Sequence, residues 1–146
     1  MQGIAVKKDH RTGLGSNGFN AALIHQQSQA VRRCSIESQP FRDRDPENPL
    51  AALKTTSRAD YVFARLEARR VGADDALFLT TDGHLSEGTS ANLFLVRGTE
   101  LATPSLDCAI LPGTTRDWLL GWATSVGLTP VEARLSPADL AAAAEA

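Results

Sequence analysis

Residues 87–94 read Glu-Gly-Thr-Ser-Ala-Asn-Leu-Phe, and this stretch decides how the rest of the chain is interpreted. It opens with one acid, continues through four small residues, and closes with an asparagine ahead of two apolar side chains. Just before it, Asp82-Gly83 predicts a type I′ hairpin turn, because these residues accept the positive φ angles of such turns. We therefore expect a β-hairpin that places Glu87 near the end of a strand.

The sequence on both sides of this stretch predicts alternating strands and helices. Apolar periodicity, turn residues and capping residues set the boundaries. Strands are predicted over 30–37, 75–81, 92–96, 101–103 and 131–135, and helices over 56–70, 114–126 and from Ser136-Pro137-Ala138-Asp139 onward. Mixed elements in this order predict an α+β domain with a largely antiparallel sheet and packed helices.

Two of the predicted helices have an apolar face that we expect to be buried. In the first, the face contains Ala59, Val62, Phe63 and Leu66, with Ser57 or Thr56 as the cap and Gly72 after the end. In the second, the face contains Trp118, Leu119, Trp122 and Val126, and Gly127 closes the helix. Residues 1–28 show no clear periodicity and are predicted to be irregular.

Composition excludes several classes of function. The chain is 42% hydrophobic and 22% charged, with a net charge of −2, which is ordinary for a globular protein and gives no reason to expect nucleic-acid or membrane binding. No apolar run is long enough to span a bilayer, and the N-terminus lacks the apolar core of a secretory signal. Cys34 and Cys108 lack metal or disulfide spacing, and the three histidines are far apart, so we expect a cytoplasmic protein without a metal site.

Glu87 is the first candidate for chemistry. A carboxylate placed against a pyridine nitrogen keeps that nitrogen protonated, so that the ring can accept electrons. Gly88, Ser90 and Ala91 are small enough to let a flat ring approach the backbone. The amide of Asn92 can orient the carboxylate from behind. The alternative, from the residues alone, is a solvated glutamate at the end of a strand.

Lys54 is the second candidate. A lysine that forms a Schiff base needs a partly buried amine, because desolvation disfavours the ammonium form and yields the nucleophile. The apolar residues over 50–53 can supply such surroundings. A surface lysine on a loop is the alternative.

Gly113-Thr114-Thr115 begins the second predicted helix and is the third candidate. A helix N-terminus presents free backbone N–H groups and partial positive charge, both of which suit a phosphate group. Ordinary N-capping by threonine is the alternative. The next residue, Arg116, either reaches a substrate or pairs with Asp117.

These three segments together resemble those of the fold-type IV pyridoxal-phosphate enzymes, the class IV family of branched-chain aminotransferases, D-amino acid transaminases and aminodeoxychorismate lyases. Residues 87–94 match the family's Glu-Gly-x-x-x-Asn-Leu-Phe signature, and the separation of Lys54 from Glu87 suits it. Leu53-Lys54-Thr55, with Arg58 close behind, is similar to the lysine segment of the lyase branch. The resemblance runs from about Ala30 to the last residue.

The resemblance implies pyridoxal 5′-phosphate as the cofactor, held by Lys54 as an internal aldimine, with Glu87 on the pyridine nitrogen and the phosphate at the Gly-Thr-Thr helix start. The residues implied to contact the cofactor are Lys54, Glu87, Asn92, Leu111, Thr114 and Thr115. An amino acid and a 2-oxo acid are the implied substrates, and a homodimer is the implied assembly. Tyr61 is offset from Lys54 in a way that does not match the family's cofactor-binding tyrosine.

The sequence departs from the family at both ends. The resembling enzymes carry a small N-terminal domain that contributes an arginine to the phosphate, and residues 1–28 do not resemble it. They also continue past Ala146. We therefore expect a partial cofactor-binding domain over 29–146. Transamination is the favoured activity because the transaminases are the larger branch, and the alternatives are an aminodeoxychorismate lyase-like enzyme and a non-catalytic fragment.

Overall fold

The computed structural model describes residues 36–38 and 44–146 of the chain. The irregular segment predicted over 1–28, and most of the strand predicted over 30–37, lie outside this part. The described strands are β1 (Ile36–Ser38), β2 (Asp75–Leu79), β3 (Leu85–Gly88), β4 (Leu95–Arg97), β5 (Glu100–Pro104) and β6 (Thr129–Ala133). The α-helices are α1 (Ala59–Arg70), α2 (Thr114–Ala123) and α3 (Pro137–Ala142).

The strands form two three-stranded sheets, in the orders β1-β2-β3 and β4-β5-β6. In each sheet a hairpin supplies the antiparallel pair, β2 with β3 and β4 with β5. The third strand joins in parallel, β1 beside β2 and β6 beside β5. A parallel pair needs a long crossover, and α1 and α2 lie in those two crossovers. The predicted α+β class is confirmed, with antiparallel pairing in the two hairpins and in a bridge between Val96 and Glu145.

The turn between β2 and β3 differs from the predicted type I′ turn. Gly83 has a φ of 84°, but Ala109 is the only non-glycine residue in the described chain with a positive φ, so Asp82 does not have one. The Gly83 N–H donates to the Thr80 carbonyl at 2.9 Å. The His84 N–H donates to the Thr80 hydroxyl at 2.9 Å. The contacts of Thr80 with Gly83 and His84 close a loop that is longer than a two-residue type I′ turn. In this loop only Gly83 adopts the left-handed conformation.

Helix α1 begins and packs differently from the prediction. Its N-cap is Arg58, without a side-chain cap, instead of Ser57 or Thr56. The end agrees with the prediction, since Gly72 follows with a φ of 82°. The buried residues are Tyr61, Ala64 and Ala68.

The face of α1 predicted to be buried is instead exposed. Val62, Phe63 and Leu66 are 60%, 44% and 48% exposed. The prediction follows the spacing of the apolar residues, whereas the helix approaches β2 through two alanines. Small residues let a helix lie close to a sheet, so the large side chains face away.

Helix α2 ends where predicted, through a 3₁₀ turn over Thr124–Val126 and Gly127 with a φ of 79°. The burial predicted for Trp118 is wrong, because this residue is 61% exposed. The Trp118 ring stacks on Trp122 with centroids 5.7 Å apart and planes 11° apart. The Trp118 indole therefore packs on the ring of Trp122 instead of being buried in a hydrophobic core.

Helix α3 has the predicted capping box. The Asp139 N–H donates to the Ser136 hydroxyl, the Ser136 N–H donates to the Asp139 carboxylate at 2.8 Å, and Pro137 occupies the first turn. None of the helices in the described ranges is long and apolar enough to cross a membrane.

Two apolar clusters hold the fold together. The first joins both sheets and α3, and contains Leu77, Leu85, Leu93, Leu95, Ala102, Leu135 and Leu140. The second packs α1 on β2, and contains Tyr61, Ala64, Ala68, Ala73, Ala76 and Phe78. Strand β3 contributes Leu85 to the first cluster, and its Glu87 is buried beside the second cluster, next to Tyr61. This position brings one charged residue into the interior.

The close approach of α1 to β2 can be tested by overpacking. Ala64 is 0% exposed, so Ala64→Leu should lower the free energy of unfolding by about 1–3 kcal/mol. Leu66→Ala, on the exposed side of the same helix, should cost less than about 1 kcal/mol. Denaturant unfolding of both variants measures the difference. A larger cost for Leu66→Ala than for Ala64→Leu would contradict the assigned face.

Candidate functional site

The three segments singled out from the sequence meet at one cavity of about 760 Å³. This volume lies in the range of small-molecule sites. Its lining includes all the residues that the family resemblance implied for the cofactor, namely Lys54, Glu87, Asn92, Leu111, Thr114 and Thr115. The tertiary structure therefore brings together side chains from a loop, a strand and a helix start that are far apart in sequence.

Glu87 lies on β3 and is 3% exposed, so it is not the solvated strand-end glutamate of the alternative interpretation. Its Oε2 accepts a hydrogen bond from the Leu111 N–H at 2.9 Å. Burial raises the pKa of its carboxyl group, while the Leu111 N–H and the charges of Arg44 and Arg58 oppose that rise. A buried carboxylate with several donors is suited to a nearby positive or protonated partner.

Asn92 supports Glu87 in the way that the sequence predicted. Its Nδ2 donates to the Leu111 carbonyl at 2.9 Å and lies 3.4 Å from Glu87 Oε2. Gly113 packs against the same amide, and a Cβ built on it would lie 2.2 Å from Asn92 Oδ1. Its φ of −74° is open to any residue, so glycine is required here by space alone.

The start of α2 is free to bind a ligand. Gly113 is the N-cap and no described side chain caps the helix. Thr114 and Thr115 lie inside the first turn, so they do not act as ordinary threonine N-caps. Both are exposed and line the cavity. The backbone N–H groups of a first helical turn have no partner within the helix, and they lie beside the two hydroxyls.

The partly buried amine expected for Lys54 is not found. Lys54 is exposed where it lines the cavity. The apolar residues before it do not cover it, because Leu50 and Leu53 are themselves 60% and 55% exposed. This segment runs through successive turns instead of packing on the core.

Arg116 lines the cavity, so its contact with a substrate stays a prediction, while its ion pair is with a residue other than Asp117. It is 5% exposed, and its Nη2 donates to the Pro104 carbonyl at 3.0 Å. The same nitrogen forms an ion pair with Glu132. Arg116 therefore ties α2 to β5 and β6, and its contacts in the described chain are with these strands instead of with Asp117.

Two residues contact Glu87 in ways that the sequence did not predict. The Tyr61 hydroxyl donates to Glu87 Oε1 at 2.7 Å, and Arg44 Nη1 lies 3.5 Å from the same oxygen. Tyr61 lies on the small-residue face of α1 with Ala64 and Ala68, a pattern that was available in the sequence. Arg44 lies in a prolyl loop with several charged residues, and nothing local distinguishes it from its neighbours.

Comparison with known proteins identifies the family. The model of the family described as amino-transferase class IV matches residues 19–146. The chain is 33% identical over 132 residues to the "Putative branched-chain-amino-acid aminotransferase" of Methanocaldococcus jannaschii, a match that covers 90% of this chain and 41% of that protein. It is 39% identical over 92 residues to the branched-chain-amino-acid aminotransferase of Salmonella typhimurium, covering 63% of this chain and 30% of that protein.

Solved structures give the same result. The structure titled "Putative 4-amino-4-deoxychorismate lyase" from Legionella pneumophila superposes with a TM-score of 0.74 at 35% identity, covering 80% of this chain and 43% of that one. The branched-chain amino acid aminotransferase from Escherichia coli superposes with a TM-score of 0.69 at 30% identity, covering 74% of this chain and 37% of that one. The chain thus spans less than half the length of these relatives. Because the family model covers most of its residues and the folds agree, the chain belongs to the class IV aminotransferase family.

Proposed function

We propose that the chain is the cofactor-binding part of a pyridoxal-phosphate-dependent amino-acid transaminase that resembles the branched-chain aminotransferases. The observation that carries this proposal is the buried carboxylate of Glu87, which shares one cavity with Lys54 and an uncapped helix start. A carboxylate, an amine and an anion-binding helix end are the three groups that the cofactor requires.

The residues present fit this cofactor. Glu87 can face a ring nitrogen, since its oxygens are held by backbone and side-chain donors at the cavity wall. The first turn of α2 can hold a phosphate through N–H groups and the hydroxyls of Thr114 and Thr115. The Gly113 position leaves no room for a side chain beside Asn92, so glycine lets the start of α2 pack directly against that amide. When bound, the cofactor supplies an aromatic ring that accepts electrons from the substrate.

The roles of the chain's own residues follow from this arrangement. Lys54 would hold the cofactor through its ε-amino group, and its free amine would move a proton at the substrate Cα. Glu87 would hold a proton on the ring nitrogen, and Asn92 would keep Glu87 in place. Lys54 is exposed here, so the desolvation that makes its amine nucleophilic has to come from bound cofactor, substrate or a covering segment.

An aminodeoxychorismate lyase-like activity is the second candidate. Two structural observations favour it: the 0.74 TM-score of the Legionella pneumophila structure, and the position of Arg58, which lines the cavity with Lys54. For the transaminase, the substrates are an amino acid and a 2-oxo acid. We further propose that the protein is a cytoplasmic homodimer and that it does not bind nucleic acid.

Attachment of the cofactor to Lys54 is the direct test. Incubation with pyridoxal phosphate, reduction with borohydride and peptide mapping should place a stable adduct on Lys54, because its amine lines the cavity. Lys7 and Lys8 are the internal controls, since the chain has no other lysines. Lys54→Ala should remove the absorbance band of the cofactor that is attached to the chain. Equal labelling of all three lysines would show that the chain does not form a specific site.

Space at Gly113 gives a second test. Gly113→Ala places a methyl group on the Asn92 amide, and should lower the free energy of unfolding by about 1–3 kcal/mol and weaken cofactor binding. Gly121→Ala is the matched control on α2, because a Cβ there meets nothing within 4 Å and alanine raises helix stability by about 1 kcal/mol. Thermal unfolding and cofactor titration measure both effects. Unchanged behaviour of Gly113→Ala would contradict the close contact.

The phosphate role of α2 can be separated from ring binding. Thr115→Val keeps the shape of the side chain and removes its hydroxyl, a donor worth about 1.5–3 kcal/mol to a charged group. Binding of pyridoxal phosphate should weaken by about tenfold or more, while binding of dephosphorylated pyridoxal should hardly change. Equilibrium titration with both compounds makes the comparison. An equal loss of affinity for the two compounds would show that this helix start does not bind the phosphate group.

A further inference from the structure

The carboxyl group of Glu87 receives two short hydrogen bonds and two longer contacts. The Tyr61 hydroxyl donates to Oε1 at 2.7 Å, and the Leu111 N–H donates to Oε2 at 2.9 Å. Asn92 Nδ2 lies 3.4 Å from Oε2, and Arg44 Nη1 lies 3.5 Å from Oε1. Tyr61 is therefore the one side chain in the described ranges that makes a short hydrogen bond to this group.

Packing holds the Tyr61 ring in a single place. The residue is 8% exposed, and its ring meets Phe78 edge to face with centroids 5.0 Å apart. The guanidinium carbon of Arg58 lies 3.8 Å from the centroid of the Tyr61 ring, and that of Arg44 lies 5.0 Å from it. An aromatic edge and two cations fix the ring, so the hydroxyl cannot turn away from Glu87 without unpacking α1 from β2.

The groups around Glu87 act on its protonation in opposite directions. Burial raises the pKa of the carboxyl group, whereas the Leu111 N–H, Arg44 and Arg58 lower it. Lys54 lines the same cavity from the loop before α1. A phenol that donates to a carboxylate also favours the ionised form, because a charge-assisted hydrogen bond is stronger than a neutral one.

We propose that Tyr61 is a positioning residue that keeps Glu87 ionised and in one orientation beside the cavity. Its consequence rests on the proposed function, in which an ionised Glu87 holds a proton on the ring nitrogen of the cofactor. The contact itself is a property of the chain without cofactor. Tyr61 thus acts on the reaction through Glu87.

The test is a carbon-13 NMR titration of cofactor-free chain labelled at the glutamate side-chain carboxyl groups. The Glu87 signal is identified by its loss in Glu87→Gln. Tyr61→Phe removes only the hydroxyl, and should raise the Glu87 titration midpoint by about one to two pH units, the effect of losing one hydrogen bond to a charged group. An unchanged midpoint would overturn the proposal.

Phe78→Leu is the control for packing, because it removes the ring beneath Tyr61 and leaves the hydroxyl. Its Glu87 midpoint should rise by less than that of Tyr61→Phe, because the hydroxyl is retained although its ring loses one contact. An equal rise in Tyr61→Phe and Phe78→Leu would assign the effect to loosened packing and would also overturn the proposal.

A second measurement covers a Tyr61→Phe chain that fails to fold. Tyr61 is the only tyrosine of the chain, so the tyrosine doublet in the Raman spectrum reports its hydroxyl alone. It should show a strong donor in the native chain, and a weaker one in Glu87→Gln, whose amide carries no charge. An identical doublet in both chains overturns the proposal. Failure of Lys54 labelling, by contrast, removes the proposed function and leaves both measurements valid.

Discussion

A single buried carboxylate organises the site. Glu87 would be costly to bury alone, since an ionised carboxylate loses its hydration in the interior. The chain offsets this cost with donors from four segments: Tyr61 on α1, Asn92 after β3, the Leu111 N–H before α2, and Arg44 from the loop before α1. The two sheets, the two crossover helices and the loop into α2 have to be in place together for these donors to meet.

The backbone next to Leu111 shows how closely this arrangement is set. Ala109 has a φ of 56°, the left-handed region that costs an alanine about 1–2 kcal/mol. The buried side chain of Ile110 and the hydrogen bond from Leu111 to Glu87 follow directly after it. The strained residue turns the chain so that Ile110 enters the core while the next N–H points at the carboxylate. Strain of this kind persists where the surrounding contacts over-determine the backbone.

Burial of Glu87 also links the site to stability. Because the pKa of its carboxyl group is raised in the folded chain, the unfolded chain loses this proton first as the pH rises. The contribution of Glu87 to the free energy of unfolding therefore falls as the pH rises above the ordinary glutamate pKa. The Leu111 N–H and the charges of Arg44 and Arg58 reduce this cost. The donors around Glu87 therefore offset part of the free energy that is lost when its carboxylate is removed from water.

Local patterns in the sequence predicted the helix ends that are marked by glycine or by capping residues, and the candidate residues of the cavity. Gly72 and Gly127 end their helices, and Ser136 and Asp139 cap α3. The segments containing Lys54, Glu87 and Thr115 were recognised from their residues together with the family resemblance, and all three line one cavity. These features depend on neighbours a few positions away, which the sequence shows directly. The tertiary structure alone decided which face of α1 is buried, that Trp118 is exposed, that Lys54 is uncovered, and that Tyr61 and Arg44 reach Glu87. Those outcomes depend on which strand a helix crosses and how closely it approaches, and side-chain size or charge along one segment does not contain that information.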